Sequence, residues 1–117
     1  MLNDDNVILI DTATAKRSII ATAYFQFDKG LKIRLLNVPD NRDYQIKIEM
    51  CNAGATEITH TILYSGADVE IPRELLLDGR DVKIFLFVYG DNWGRTALDV
   101  LLRIVRRPSR QSYRGEL

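Results

Sequence analysis

The chain has 117 residues, enough for one domain with its own hydrophobic core and too few for a second domain. Sixteen Lys and Arg residues balance sixteen Asp and Glu residues, so no net charge attracts nucleic acid or an anionic membrane. No apolar run is long enough to span a membrane, and residues 1–6 lack the features of a signal peptide. We therefore expect synthesis in the cytoplasm, with neither nucleic acid nor membrane as a partner.

The first half of the domain reads as strands separated by turns. Residues 7–10 form a short apolar run that predicts a first strand at a sheet edge. Residues 18–27 predict a longer strand, which ends at a turn where Gly30 takes a positive φ. Residues 31–35 then alternate, which places Lys32 and Arg34 in water and the apolar residues in the core.

The alternation continues through the middle of the chain. Pro39 suits the second position of a type I turn at residues 38–41. Residues 44–50 give the clearest one-sided strand, and shorter strands are predicted within residues 57–64 and 68–71. Residues 72–78 break the pattern, because a proline, three leucines and a following Gly79 are typical of one short helical turn.

The apolar stretch at residues 82–89 is the predicted centre of the domain. Ile84 and Leu86 occupy one parity and Phe85 and Phe87 the other, so we expect both faces of this strand to be buried. Residues 96–105 alternate as a strand with one buried face. The turn at residues 90–94 joins the two runs into a predicted hairpin.

Turn residues recur at intervals of roughly 8 to 12 positions, which favours β-structure over strands alternating with long helices. The predicted fold is therefore all-β: a single antiparallel, immunoglobulin-like β-sandwich of about seven or eight strands, with one short helical turn near 72–78. The expected boundaries are a loose terminus at 1–6, the sandwich at 7–107 and a polar basic tail at 108–117.

The sequence offers little for catalysis. His60 is the single histidine and lies within a predicted strand, where a partly exposed pairing residue is the simpler interpretation. Cys51 cannot form an internal disulfide and is expected to be a small core residue. The aspartates of the predicted turns suit local capping, and their spacing does not match an EF-hand loop. We therefore expect no enzyme activity, no cofactor and no metal site.

A cluster of arginines marks the carboxy-terminal end, which predicts a partner-binding segment. It comprises Arg103, Arg106, Arg107, Arg110 and Arg114, with Tyr113 the only aromatic residue beyond Arg103. Guanidinium groups suit acidic protein surfaces. Nucleic acid is disfavoured because no stacking platform accompanies the charge. The alternative is a solvated strand end and tail without a partner.

Trp93 stands out in the predicted hairpin turn. A tryptophan in a loop is often an anchor in a partner pocket or a stacking surface for sugar, and Asn92 and Tyr89 would lie beside it. These three residues are the predicted ligand-binding set. The alternative is that the indole folds back over the end of the sandwich.

The carboxy-terminal half resembles a family of small virion proteins of tailed phages that have immunoglobulin-like sandwiches. The resemblance covers residues 43–113 and rests on Glu70-Ile71-Pro72, Leu75-Leu76, Gly79, the strand at 84–89, Gly94-Arg95-Thr96, the close Ile104-Val105-Arg106-Arg107-Pro108, and Tyr113. In the family a similar close leads into a Pro-x-Asp-Tyr tail, from which residues 109–113 depart. The resemblance implies a structural part of a head, neck or baseplate, or an adhesion module, and it identifies no functional residue.

The primary hypothesis is a structural virion protein that assembles without catalysis with other particle proteins of the capsid, neck or baseplate. It predicts a homo-oligomer that uses strand edges and the basic tail as contacts and resides in the virion after synthesis in the bacterial cytoplasm. The alternative is a module of the phage particle that binds carbohydrate or the host surface through Trp93, Asn92 and Tyr89.

Overall fold

A computed structural model describes residues 7–13, 17–25, 30–39 and 43–106, with the backbone alone at 17–23. The expected loose terminus, the tail at 108–117 and part of the turn at 38–41 lie outside the described residues. In chain order the elements are β1 (Val7–Asp11), β2 (Arg17–Phe25), β3 (Lys32–Leu36), β4 (Gln45–Asn52), β5 (His60–Leu63), β6 (Val69–Glu70), α1 (Arg73–Leu77), β7 (Val82–Tyr89) and β8 (Gly94–Val105).

The strands of the described residues form two sheets. The smaller sheet has the order β1-β3-β6, and the larger has the order β2-β8-β7-β4-β5 and curls into a half-barrel. The predicted all-β class and the short helical turn are confirmed. Gly79, just beyond that turn, has the positive φ of 85° expected of a residue that ends a helix.

Strand direction differs from the prediction in both sheets. β1 runs parallel to β3, and β2 runs parallel to β8, whereas the other pairs are antiparallel. The prediction of a wholly antiparallel sandwich is therefore wrong for these two pairs. Alternation of side chains fixes which face of a strand is buried, but it carries no information about the direction of the neighbouring strand.

The core contains apolar side chains from both sheets and from α1. Its members with no measurable exposure are Ile33, Ile48, Met50, Val82, Ile84 and Leu102. β3 shows the predicted alternation, since Leu31, Ile33 and Leu35 are buried and Lys32 and Arg34 are exposed. One face each of β1, β3, β4, β7 and β8 thus supplies the buried apolar side chains that stabilise the fold.

β7 is the central strand of the larger sheet, as predicted, but only one of its faces is buried. Ile84, Leu86 and Val88 point into the core, whereas Phe85 and Phe87 are only half-buried. The prediction of two buried faces is therefore wrong. Aromatic residues are frequent in strands for their packing on neighbouring side chains of the same face, so their presence does not require a second covering layer.

The hairpin of β7 and β8 is confirmed. The amide of Gly90 donates to the carbonyl oxygen of Trp93 at 2.9 Å and closes the turn. Leu86 pairs with Leu98 but Phe87 pairs with Thr96, so one extra residue of β8 forms a bulge. A bulge increases the local twist of a strand pair, and here it lies beside the hairpin tip.

A buried polar side chain ties β4 to the helical connector. Asn52 is 8% exposed, and its amide nitrogen donates to the carbonyl oxygens of Leu75 at 2.8 Å and Arg80 at 3.3 Å. These bonds satisfy carbonyl groups near the end of α1, which no further helical turn can reach. Asn52 therefore fixes the connector against the sheet.

Candidate functional site: an aromatic cleft at the hairpin end

A cleft of about 470 Å³ opens at the tip of the β7–β8 hairpin. We call it the hairpin-end cleft, and it is lined by Asp43, Tyr44, Gln45, Tyr89, Gly90, Asp91, Asn92 and Trp93. The three residues of the predicted ligand-binding set therefore lie around one concavity.

The register of the larger sheet assembles this cleft. Gln45 pairs with Tyr89 across β4 and β7, and Tyr89 pairs with Gly94 across β7 and β8. Because β4 and β7 are antiparallel, the start of β4 meets the end of β7. This brings Asp43 and Tyr44, which directly precede β4, to the hairpin tip.

Sequence reasoning missed five of the eight lining residues. The alternating pattern places Tyr44 and Gln45 in a strand, Gly90 and Asp91 belong to the predicted turn, and Asp43 carries no signal of its own. The signal that could have found them is the pairing of the two strongest predicted strands. An antiparallel partner of residues 82–89 must bring one of its own ends to the hairpin turn.

The aromatic rings of Tyr44 and Trp93 form one wall of the cleft. Their centroids lie 6.3 Å apart with an interplanar angle of 63°, an edge-to-face arrangement. Trp93 nevertheless remains 48% exposed. The indole therefore combines features of both interpretations, since it packs on the end of the domain through one contact and still offers open surface.

Two glycines allow the aromatic side chains to lie close to the backbone. A Cβ at Gly90 would lie 2.9 Å from Cε2 of Trp93 and still closer to its Nε1. A Cβ at Gly94 would lie 2.5 Å from Cζ of Phe87. The indole and the Phe87 ring can thus occupy their positions only because glycine has no side chain at residues 90 and 94.

The face of Tyr89 is already in contact with a cation. The ammonium nitrogen of Lys47 lies 4.8 Å from the centroid of the Tyr89 ring, and the Phe87 and Tyr89 rings stack at 6.1 Å. Such a cation–π contact stabilises an exposed ammonium group by about 0.5–1 kcal/mol. Tyr89 is therefore held in a fixed orientation beside the cleft.

A second, smaller concavity of about 290 Å³ lies on the other side of the Tyr44–Trp93 pair. We call it the intersheet cleft. Its lining is largely aliphatic, with Leu86, Val88 and Leu98 at the base, and it includes the guanidinium-bearing Arg95. Tyr44 and Trp93 separate the two clefts and line both.

Four residues of the predicted partner-binding segment lie outside the described residues, namely Arg107, Arg110, Tyr113 and Arg114. Arg103 lies on β8 and is exposed. Arg106 is described: it is exposed, and its Nε donates to the carbonyl oxygen of Gly79 at 3.3 Å. This bond helps to satisfy the backbone just beyond α1. The structure therefore gives Arg106 a local contact within the domain.

His60 lies in a row of polar groups that resembles a catalytic arrangement. Its Nε2 is 3.2 Å from a carboxylate oxygen of Glu74, and its Nδ1 is 2.9 Å from the hydroxyl of Thr59. That hydroxyl also donates to the carbonyl oxygen of Met50 at 3.2 Å, and the direction of its bond with Nδ1 depends on the tautomer of the His60 ring. The backbone amide of Glu74 and the His60 ring lower the pKa of the Glu74 carboxyl, which suits a link between β5 and α1.

Two of the turn aspartates form ion pairs with arginine. Arg34 donates two hydrogen bonds to Asp68 at 3.0 and 2.9 Å, and Arg80 does the same to Asp78. In each case the arginine holds the pKa of the carboxyl below its ordinary value. Within the described residues, no three His, Cys, Asp or Glu side chains gather as a metal site would require.

Cys51 is a buried free thiol, as expected of a small core residue.

None of the helices in the part of the chain that the structure describes is long and apolar enough to cross a membrane.

Comparison with known proteins does not assign this chain to a family. No protein-family model matches it, and no curated protein is significantly similar to it.

Proposed function

We propose that this protein is a non-catalytic binding module and that the hairpin-end cleft binds carbohydrate. The observation that carries the proposal is the convergence of Tyr44, Tyr89 and Trp93 with the side-chain amides of Gln45 and Asn92 around one open cleft. A sugar has an apolar C–H face and a rim of hydroxyl groups. Exposed aromatic rings suit the face, and amide and carboxylate groups suit the hydroxyls.

Titration with a panel of bacterial cell-wall glycans tests this function. Trp93 is the only tryptophan of the chain, so any change in tryptophan fluorescence comes from this side chain. We expect a saturable change in emission, with the affinity confirmed by calorimetry. Asn92→Ala should weaken binding, whereas Thr61→Ala, an exposed change on β5 away from the cleft, should not. If neither fluorescence nor calorimetry detects binding of any glycan in the panel, the proposal is rejected.

The biological setting that we propose comes from the resemblance to tailed-phage virion proteins. In this setting the protein is made in the bacterial cytoplasm and carried on the virion, where a glycan-binding module would contact the host surface. The proposal includes an immunoglobulin-like arrangement of the sandwich. Its support is that two sheets share a single core and that β7 and β8 form a central hairpin.

Assembly with other virion proteins, or with further copies of this chain, is the second candidate function. One observation favours it: large apolar side chains are exposed on strands at sheet edges. Leu9 of β1 is 55% exposed and Leu63 of β5 is 56% exposed, and each strand ends its sheet. Edge strands that expose apolar residues pair readily with a second chain.

The mass of the protein in solution tests the assembly candidate. We expect an oligomer by light scattering, and Leu63→Lys should dissociate it because a charge would be buried in the contact. Leu77→Lys is the matched control, since Leu77 is 40% exposed but lies on α1. Deletion of residues 107–117 should also weaken association. A strict monomer without affinity for virion proteins would exclude this candidate.

A further inference from the structure

The hairpin-end cleft carries negative charge although the chain as a whole is neutral. Asp43 and Asp91 line it, and its lining includes no lysine or arginine. In the described part of the chain, neither carboxylate takes part in a salt bridge. Both side chains are exposed. The carboxylates are thus available to a ligand rather than engaged by the fold.

The aromatic rings of the same cleft add to this preference for positive charge. The face of an aromatic ring attracts ammonium groups, and indole does so most strongly. The Lys47 ammonium lies 4.8 Å from the centroid of Tyr89 and occupies that ring face, so the rings left to a cationic ligand are those of Tyr44 and Trp93. Tyr44 and Trp93, inclined at 63°, present two ring surfaces at a steep angle.

We infer that the cleft selects sugars that carry a protonated amine, such as amino sugars that are not N-acetylated. This inference rests on the proposed carbohydrate-binding function and narrows its ligand class. The pyranose ring contacts the exposed part of Trp93, and the ammonium group lies towards Asp43 and Asp91. A neutral sugar makes the same ring contact but lacks the charge attraction.

Oligosaccharides that differ only in acetylation provide the test. The glucosamine trimer and the N-acetylglucosamine trimer are titrated against the full chain by Trp93 fluorescence and calorimetry. We expect the amine form to bind on the order of tenfold more tightly at low salt, because exposed ion pairs give small free energies that add over two carboxylates. The difference should shrink as NaCl is added, since salt screens exposed charges.

The double variant Asp43→Asn, Asp91→Asn should remove the preference, because it should weaken binding of the amine form more than binding of the acetylated trimer. Glu57→Gln, which removes an exposed charge outside the cleft, should keep the preference. Equal binding of both trimers, or an equal loss for both in the double variant, would overturn the inference and leave carbohydrate binding intact. Tighter binding of the acetylated trimer would overturn it in the same way. Binding to another glycan of the panel but to neither trimer would overturn only the inference, and absence of binding to both trimers and to every glycan of the panel would reject the inference and the proposed function together.

Discussion

Replacement of Gly90 by alanine should move the indole of Trp93 with little change in the free energy of unfolding. The new Cβ would lie 2.9 Å from Cε2 of Trp93 and closer to Nε1, so the ring must withdraw by at least about 1 Å to reach ordinary van der Waals separation. Gly90 does not have a positive φ, and Trp93 is half exposed. The backbone therefore accepts alanine without strain, and the indole can move outwards.

This geometry predicts the size of two effects, one on the free energy of unfolding and one on the affinity for a glycan. The free energy of unfolding should change by less than about 1 kcal/mol, because the collision is relieved by an exposed side chain and alanine restricts the unfolded chain. Displacement of the ring should cost binding about 0.5–1.5 kcal/mol, the contribution of an aromatic contact beyond burial of its area. The affinity for a glycan should therefore fall by about two- to tenfold.

Calorimetric titration and urea denaturation of the same variant measure the two quantities. Thr61→Ala, an exposed change on β5 away from the cleft, is the control for both measurements. This control should keep the affinity for the glycan. If Gly90→Ala binds as tightly as the unchanged protein while its indole has moved, or if both variants lose affinity equally, Trp93 is not a contact surface for the ligand.

Two further predictions concern the fold. Asn52→Ala should lower the free energy of unfolding by about 1–3 kcal/mol in chemical denaturation, because the buried Leu75 carbonyl loses its donor. Asn52→Asp should cost more at neutral pH and less as the pH falls, since only the protonated carboxyl can donate; equal costs at both pH values would contradict this. Arg34 lowers the pKa of Asp68, so their pairing stabilises the protein above the unfolded-state pKa and is lost as the pH falls through the folded-state value. Arg34→Gln should raise the Asp68 pKa in a carboxyl NMR titration and should destabilise the protein at neutral pH only; an unmoved pKa would refute the assignment.

The local features of the fold could be predicted because they depend on side chains close in sequence. Ile33 and Leu35 are buried and Arg34 is exposed, as their alternation requires. The helical turn ends before Gly79 because that residue takes a positive φ at little cost. Such features need no knowledge of the rest of the chain.

The long-range features could not be predicted in the same way. The parallel pairing of β2 with β8 places Arg17 opposite Asp99, which is far away in sequence. The apolar pattern of a strand does not indicate whether its neighbour is parallel or antiparallel. Phe85 and Phe87 suggested a second buried face because apolar character alone does not show whether another layer exists. Tyr44 shares the parity of the core residues of β4, so nothing in its strand distinguished a cleft residue from a core residue.

The hairpin-end cleft is formed without a long loop, because it lies where the ends of paired strands meet. Tyr89 is the last residue of the central strand, and Gln45 is fixed opposite it by a continuous ladder that runs to the buried pair of Val82 and Asn52. Rigid strands thus set the distance between the two sides of the cleft, and the lining residues outside the ladder are residues 90–93 of the hairpin tip and Asp43 and Tyr44 just before β4. A site that is ordered before binding loses less side-chain and loop entropy when a ligand arrives. If the cleft binds carbohydrate as proposed, we expect its specificity to depend on exposed residues around the tip, Asp43, Asp91 and Asn92, which can be changed with little effect on the core, and its stability to depend on the strands beneath.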